Sequence, residues 1–181
     1  ALRMVPGHGT RPIMDRVKTA LFDILRPRIE DLHMLDLFAG SGSVGIEALS
    51  QGAAHCTFLD LGEPAVRTIR QNLAATGLAD RAEVHRTDAL GFLRSTDQSF
   101  DLIYVAPPQY KGLWADALRR IAARPELLRP DGLVIAQIDP KEYEALDLGS
   151  LVEERQKRYG STLLVFYEPG PVPGPGDPSR P

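Results

Sequence analysis

Apolar and polar positions alternate in blocks, some with the period of a strand and some with that of a helix. From Asp15 the apolar residues Val17, Leu21, Ile24 and Leu25 recur at helical spacing, which predicts a helix over 13–26. A short apolar run then predicts a strand at 33–37, followed by a helix from about Ser43 to Gln51. His55–Leu59 forms the next strand and ends at Asp60. A helix with Val66, Ile69 and Leu73 on one face stops near Gly77. A third strand, 82–86, ends at Thr87-Asp88, and Ala89–Arg94 has the pattern of a short helix. The strand Asp101–Val105 is cut off by Ala106-Pro107-Pro108, and a helix over about 112–123 leads to the strand Gly132–Ile138. The β-prone segments Leu151–Arg158 and Ser161–Tyr167 flank Tyr159-Gly160 as a hairpin. Residues 169–181 are mostly Pro and Gly, the composition of a disordered tail.

Five strands alternating with helices, then a hairpin, define an α/β, Rossmann-like fold. The expected sheet has seven strands, mostly parallel, with an antiparallel C-terminal pair and helices on both faces. One domain over residues 1–168 accounts for the whole pattern. In such sheets ligands bind beyond the carboxyl ends of the strands. Asp36, Asp60, Asp88 and the Ala106-Pro107-Pro108 turn all stand there.

Composition narrows the class. The chain has 181 residues, of which 43% are hydrophobic and 25% charged, as in ordinary globular proteins. Its one cysteine, Cys56, excludes a disulfide framework and lies in an apolar run, as a buried structural thiol would. No run approaches membrane-spanning length, so a cytoplasmic protein is expected. His8, His33, His55 and His85 are scattered without metal-ligand spacing, so no metal is expected. The net charge of −3 argues against bulk electrostatic binding of nucleic acid. Residues 1–28, however, carry six Arg or Lys against two Asp, a local basic face that could meet phosphates or simply be solvated.

The segment Asp36-Leu37-Phe38-Ala39-Gly40-Ser41-Gly42-Ser43-Val44-Gly45 carries the chemistry. Gly40-Ser41-Gly42-Ser43-Val44-Gly45 matches G-x-G-x-x-G, and Asp60 follows the next strand as a dinucleotide site would require. Asp36 points elsewhere, because a carboxylate ahead of the turn repels a diphosphate but holds an ammonium group. Asp60 offers two acceptor oxygens to ribose hydroxyls, and Asp88 can accept from an adenine amine. These groups suit S-adenosylmethionine. Each acid taken singly could instead be a helix N-cap.

The chain resembles the class I methyltransferases, and more closely the RsmD family, which methylates guanine N2 in 16S ribosomal RNA. The resemblance is carried by Gly9-Thr10-Arg11-Pro12 with Asp15-Arg16-Val17-Lys18 and Ala20-Leu21-Phe22. The glycine turn with Gly45-Ile46-Glu47-Ala48, the Ala106-Pro107-Pro108 turn, and Arg158-Tyr159-Gly160 with Thr162 complete it. It implies S-adenosylmethionine as cofactor, with Thr10, Arg11, Pro12, Asp36, Phe38, Ala39, Gly40, Ser41, Gly42, Asp60, Leu61, Asp88 and Ala89 around it. Arg11, Asp15, Arg16 and Tyr110 would meet the target base or its phosphates. The implied substrate is 16S rRNA or an assembling small subunit, methylated at a guanine of the 966 type; the sequence leaves the oligomeric state open, with a monomer favoured. The segment that grips RNA in relatives precedes residue 1.

By the same resemblance Ala106, Pro107, Pro108, Gln109 and Tyr110 form the catalytic stretch. The family pattern there is Asp or Asn, two prolines, then an aromatic. Its acceptors aim the guanine amine at the methyl group, and its ring stacks on the flipped base. Here Ala106 replaces the acid or amide and Gln109 the aromatic, with Tyr110 one place later. Backbone carbonyls and the Gln109 amide remain as acceptors. Other readings are a methyltransferase for DNA or a protein amide, a non-catalytic RNA- or nucleotide-binding homologue, and an NAD-dependent oxidoreductase. Trp114 has the pattern of a packing residue, with base stacking as the alternative.

Overall fold

The computed structural model of the protein describes residues 2–3 and 12–171. The expectations for Thr10 and Arg11, for the Pro12 side chain and for the chain beyond residue 171 lie outside the described residues. Helix α1 (Pro12–Leu25) precedes β1 (His33–Asp36), α2 (Ser43–Ser50), β2 (His55–Asp60), α3 (Glu63–Thr76) and β3 (Ala82–Arg86). Then come α4 (Ala89–Ser95), β4 (Phe100–Val105), α5 (Leu113–Ala123), β5 (Leu128–Ile138), β6 (Leu151–Tyr159) and β7 (Thr162–Pro169). The strands form one sheet in the order β3-β2-β1-β4-β5-β7-β6. β1 to β5 are parallel, and β7 runs antiparallel between β5 and β6.

Strand side chains alternate between two apolar layers. Leu35, Leu37, Ile103, Val105, Val134 and Ala136 face α4 and α5, where Leu93, Trp114, Leu118 and Ile121 cover them. Met34, Cys56, Phe58, Leu102, Tyr104 and Ile135 face α1, α2 and α3, under Val17, Leu21, Ile46, Leu49 and Ile69. Helices thus cover both faces, as the alternation implies. Cys56 is buried, and burial, then the Asp36 charge, push its thiol well above the ordinary value. Trp114 is buried against α5's neighbours and stacks on Tyr143 at 6.3 Å, which settles its role as packing.

Two strand boundaries differ from the sequence pattern by two residues or more. β5 begins at Leu128 rather than Gly132, because buried Leu128 pairs with Phe100 ahead of a register shift near Leu102. Asp131, with φ of 64°, is the irregularity that looked like a turn. At the other end β7 continues to Pro169, and the Gly170 N–H donates to Ser150 O at 2.7 Å.

Gly45 sets how close α2 lies to the sheet. A Cβ at this position would stand 2.3 Å from Phe58 Cε1 and 2.7 Å from Cys56 Sγ. The absence of a side chain lets the helix that follows the glycine turn rest directly on β2. Gly45→Ala is therefore expected to lower stability by about 1–3 kcal/mol through overpacking. Urea unfolding measures this, and an unchanged midpoint would mean that α2 shifts freely.

Candidate active site

A row of side chains crosses the sheet at the carboxyl ends of the strands. Phe58 pairs with Asp36, Asp36 with Tyr104, Tyr104 with Ile135, and Ile135 with Phe166. Cross-strand partners share a face, so one carboxyl group stands in an otherwise aromatic and aliphatic row. Asp36 is 1% exposed, and among the described residues its Oδ1 has no hydrogen-bond partner. Burial, with the nearby Asp60 charge adding to it, pushes the Asp36 carboxyl up to about 7, while the Phe38 backbone N–H pulls the other way. An orphaned buried oxygen of this kind is costly unless a ligand completes it.

The turn after β1 is wired to its surroundings. Gly40 and Gly42 take left-handed φ values of 58° and 82°, the latter at the N-cap of α2. The Gly40 N–H donates to Asp60 Oδ2 at 3.0 Å, and the Gly62 N–H donates to Asp60 Oδ1 at 2.9 Å. Asp60 thus holds the glycine turn against the end of β2, and each of its oxygens keeps a second lone pair. Buried Asn72 on α3 donates to Ser41 O at 3.0 Å and pairs with both backbone groups of Arg3. No motif pointed to Asn72, since its partners are far away in sequence.

A cavity of about 380 Å³ opens at these strand ends. Of the residues picked from sequence, Asp15, Asp36, Phe38, Ala39, Ser41, Ala106, Pro107 and Gln109 line it. Lys18, Ser43, Tyr104, Gln137, Ser161 and Thr162 line it too. Lys18 Nζ donates to Ser43 Oγ at 2.9 Å, joining α1 to the first turn of α2. The Tyr104 hydroxyl donates to Gln137 Oε1. Lys18 and Thr162 stood inside the motifs that carried the resemblance, whereas Tyr104 and Gln137 looked like ordinary strand residues.

Other predicted residues lie apart from the cavity. Arg16 is exposed on α1, and Pro108 is exposed beyond the turn. Tyr110 is 63% exposed at φ of 62°. Its N–H donates to Glu142 Oε1 at 2.7 Å and its hydroxyl to Asp139 Oδ2 at 2.8 Å, which holds the residue outside the cavity lining. Asp88 caps α4, its Oδ2 accepting from the Gly91 N–H at 2.9 Å, so the N-cap alternative describes this acid. Leu61, beside Asp60, is 65% exposed, and Ala89 is buried at the start of α4.

The donors and acceptors fit the sulfonium nucleoside that the resemblance implies. Asp36 offers an unpaired oxygen for a cation, and Asp60 has spare lone pairs beside the glycine turn. Leu61 presents bare apolar surface next to it. A Cβ at Gly40 would meet nothing within 4 Å, so its backbone faces open space. A diphosphate would instead have to sit against the buried acid.

Comparison with known proteins gives the same result. The family profile described as Conserved hypothetical protein 95 matches residues 1–168. YlbH of Bacillus subtilis (strain 168) is 36% identical over 171 residues, 93% of this chain and 92% of that protein. Ribosomal RNA small subunit methyltransferase D of Haemophilus influenzae is 34% identical over 141 residues, 76% of this chain and 72% of its own length. The solved structure of yhhF from Escherichia coli superposes with a TM-score of 0.82 at 30% identity, covering 93% of this chain and 91% of that one. The fold is that of the class I methyltransferases. The chain belongs to the Conserved hypothetical protein 95 family, the RsmD family of ribosomal RNA methyltransferases.

The Asp36 environment has a consequence for stability. Its folded pKa lies above the unfolded value of 3.8, so the native state holds the proton more tightly. This group's cost is absent below about pH 4, grows as pH rises, and is complete above about 7. Asp36→Asn is expected to stabilise the ligand-free protein at pH 8 by roughly 2–4 kcal/mol and to leave it nearly unchanged at pH 4. Denaturant titrations at the two pH values test this. Equal differences at both would place the carboxyl in a solvated environment.

Proposed function

We propose that the protein uses S-adenosylmethionine to methylate the exocyclic N2 of a guanine in 16S ribosomal RNA, the 966 type, during small-subunit maturation. The observation that carries the reading is the buried Asp36, whose unpartnered oxygen lines the same cavity as Ala106, Pro107 and Gln109. Family membership supports the ribosomal RNA substrate, and the resemblance supports the guanine amine.

Asp36 would hold the ammonium of the methionine moiety, Asp60 the ribose hydroxyls, and the free Oδ1 of Asp88 the adenine amine. Bound S-adenosylmethionine supplies a methyl group on a sulfonium, which is already a good leaving group. The guanine amine is a poor nucleophile because its lone pair is delocalised into the ring. Ala106 brings no acceptor side chain, so the carbonyls of Ala106 and Pro107 and the Gln109 amide oxygen would accept hydrogen bonds from the amine's N–H groups and direct the nitrogen. When bound, the cofactor would supply its methyl group to N2 with the neutral thioether as leaving group, and the displaced amine proton would go to water. Tyr110 would stack on the flipped base after exchanging its Asp139 and Glu142 partners for it. Arg16, on the exposed face of α1, would meet phosphates.

Incubation of unmethylated small subunits with tritiated S-adenosylmethionine is expected to label 16S rRNA. Nuclease digestion and mass spectrometry should then find N2-methylguanine at a single position. Label on protein or DNA instead would overturn the substrate, and no label at all would leave a non-catalytic binder.

Cofactor binding should follow the ionisation of Asp36. A cation prefers the charged carboxylate, so affinity for S-adenosylhomocysteine rises with pH and levels off above about 7. Isothermal titration is expected to give roughly tenfold or more weaker binding at pH 5.5 than at pH 8. Asp36→Asn should weaken binding at pH 8 and abolish the pH dependence, and NAD should give no heat. A flat profile in the unmutated protein would separate Asp36 from the ammonium.

A further inference from the structure

Tyr104 and Gln137 form a pair that the catalytic reading does not use. Val105 and Ala136 close the register between β4 and β5, and Gln137 follows two residues after Ile135, the partner of Tyr104. Both side chains therefore stand on the face that carries Asp36, and both line the cavity with Ala106, Pro107 and Gln109. Tyr104 is 3% exposed, and burial, then the Asp36 charge, push its phenol well above the ordinary value, so its hydroxyl keeps its proton and acts as donor. The acceptor is Gln137 Oε1. In this arrangement the amide oxygen faces the phenol and the amide nitrogen faces the other way. Nε2 is left with the Met14 thioether at 3.8 Å, a weak acceptor on α1. Gln137 is half-buried and lines the cavity, and among the described residues its amide N–H has only that weak acceptor.

An amide N–H presented in this way seeks a carbonyl or a ring nitrogen. Guanine has a carbonyl at C6, across N1 from the reactive amine, where adenine has an amine. We infer that Gln137, oriented by the Tyr104 hydroxyl, is a specificity-determining residue that donates Nε2–H to the C6 carbonyl of the target base and thereby selects guanine. With Oε1 held by Tyr104, a base bearing an amine at C6 would face a donor and leave both groups unpaired. Such mismatches are rejected more strongly than the loss of an apolar contact. The inference rests on the guanine-N2 reading above and adds the means of discrimination.

The test compares two versions of 16S rRNA ligated around the position identified by the transfer assay, one with guanine and one with 2-aminopurine. The second keeps the reactive amine and lacks the carbonyl. Methyl transfer to each is measured with the unmutated protein, Gln137→Leu and Tyr104→Phe. The unmutated protein is expected to favour guanine by about tenfold or more in kcat/KM. Gln137→Leu should slow guanine more than 2-aminopurine and bring the ratio towards one, and Tyr104→Phe should narrow it in part. S-adenosylhomocysteine affinity, read by titration, reports whether each variant remains folded and loaded. Should Gln137→Leu slow both substrates equally, or preserve the ratio, Gln137 is a structural residue and the inference fails while guanine methylation stands. Absence of transfer to guanine by the unmutated protein overturns both together.

Discussion

The site depends on one unfavourable placement, an acid with one unpartnered oxygen among the described residues at the centre of a packed sheet row. Asp36 stands between Phe58 and Tyr104, with α2 pressed onto the same face, and little water reaches it. Elsewhere in the row every side chain contributes apolar burial, and Asp36 alone costs stability. The cost is tolerable because β1 is central, flanked on both sides by parallel strands that hold its backbone. What the protein obtains is a carboxyl group whose ionisation falls near neutral pH and is favoured by a cation beside it.

The rest of the turn follows from keeping that group in place. Left-handed Gly40 and Gly42 reverse the chain within a few residues of Asp36. Asp60 grips Gly40 and Gly62 by their N–H groups, so the ends of β1 and β2 move as one unit. Gly45 then allows α2 to descend onto Phe58, which walls Asp36 from solvent on that side. A second acid near Asp36 has an electrostatic price, because the Asp60 charge raises Asp36 further. The same two carboxylates would relax once a cation lay beside Asp36.

Much of this could be read from the chain. Apolar runs ending in Asp36 and Asp60 placed both acids at strand ends, and the alternation of strands with helices implied a parallel sheet covered on both faces. Periodicity says which face a residue takes, but not which strand lies beside its own. The Tyr104–Gln137 bond joins residues 33 apart, and the Asn72–Ser41 bond joins residues 31 apart, so both depended on the strand order and helix placement. Tyr110 was legible as an aromatic near the turn, whereas its grip on Asp139 and Glu142 depended on where β5 ends. Asp88 showed the limit in the other direction. Its position suited either a ligand contact or an N-cap, and only the Gly91 contact separates them for one of its oxygens.

The alanine at 106 also takes on a physical sense in this setting. An aspartate there would line the cavity that Asp36 lines and add a third negative charge to a site where Asp60 already opposes ionisation. By Coulomb repulsion in poorly hydrated surroundings it would hold Asp36 further towards its neutral form and weaken its attraction for an ammonium group. Neutral amides avoid that conflict while still offering hydrogen bonds. Gln109 and Gln137 bring two of them to the same cavity from different strands' ends, one after β4 and one on β5. On the proposed reading, the polar work of recognising a base would fall to uncharged groups, and Asp36, the one buried carboxylate among the described residues, would be left for the cofactor.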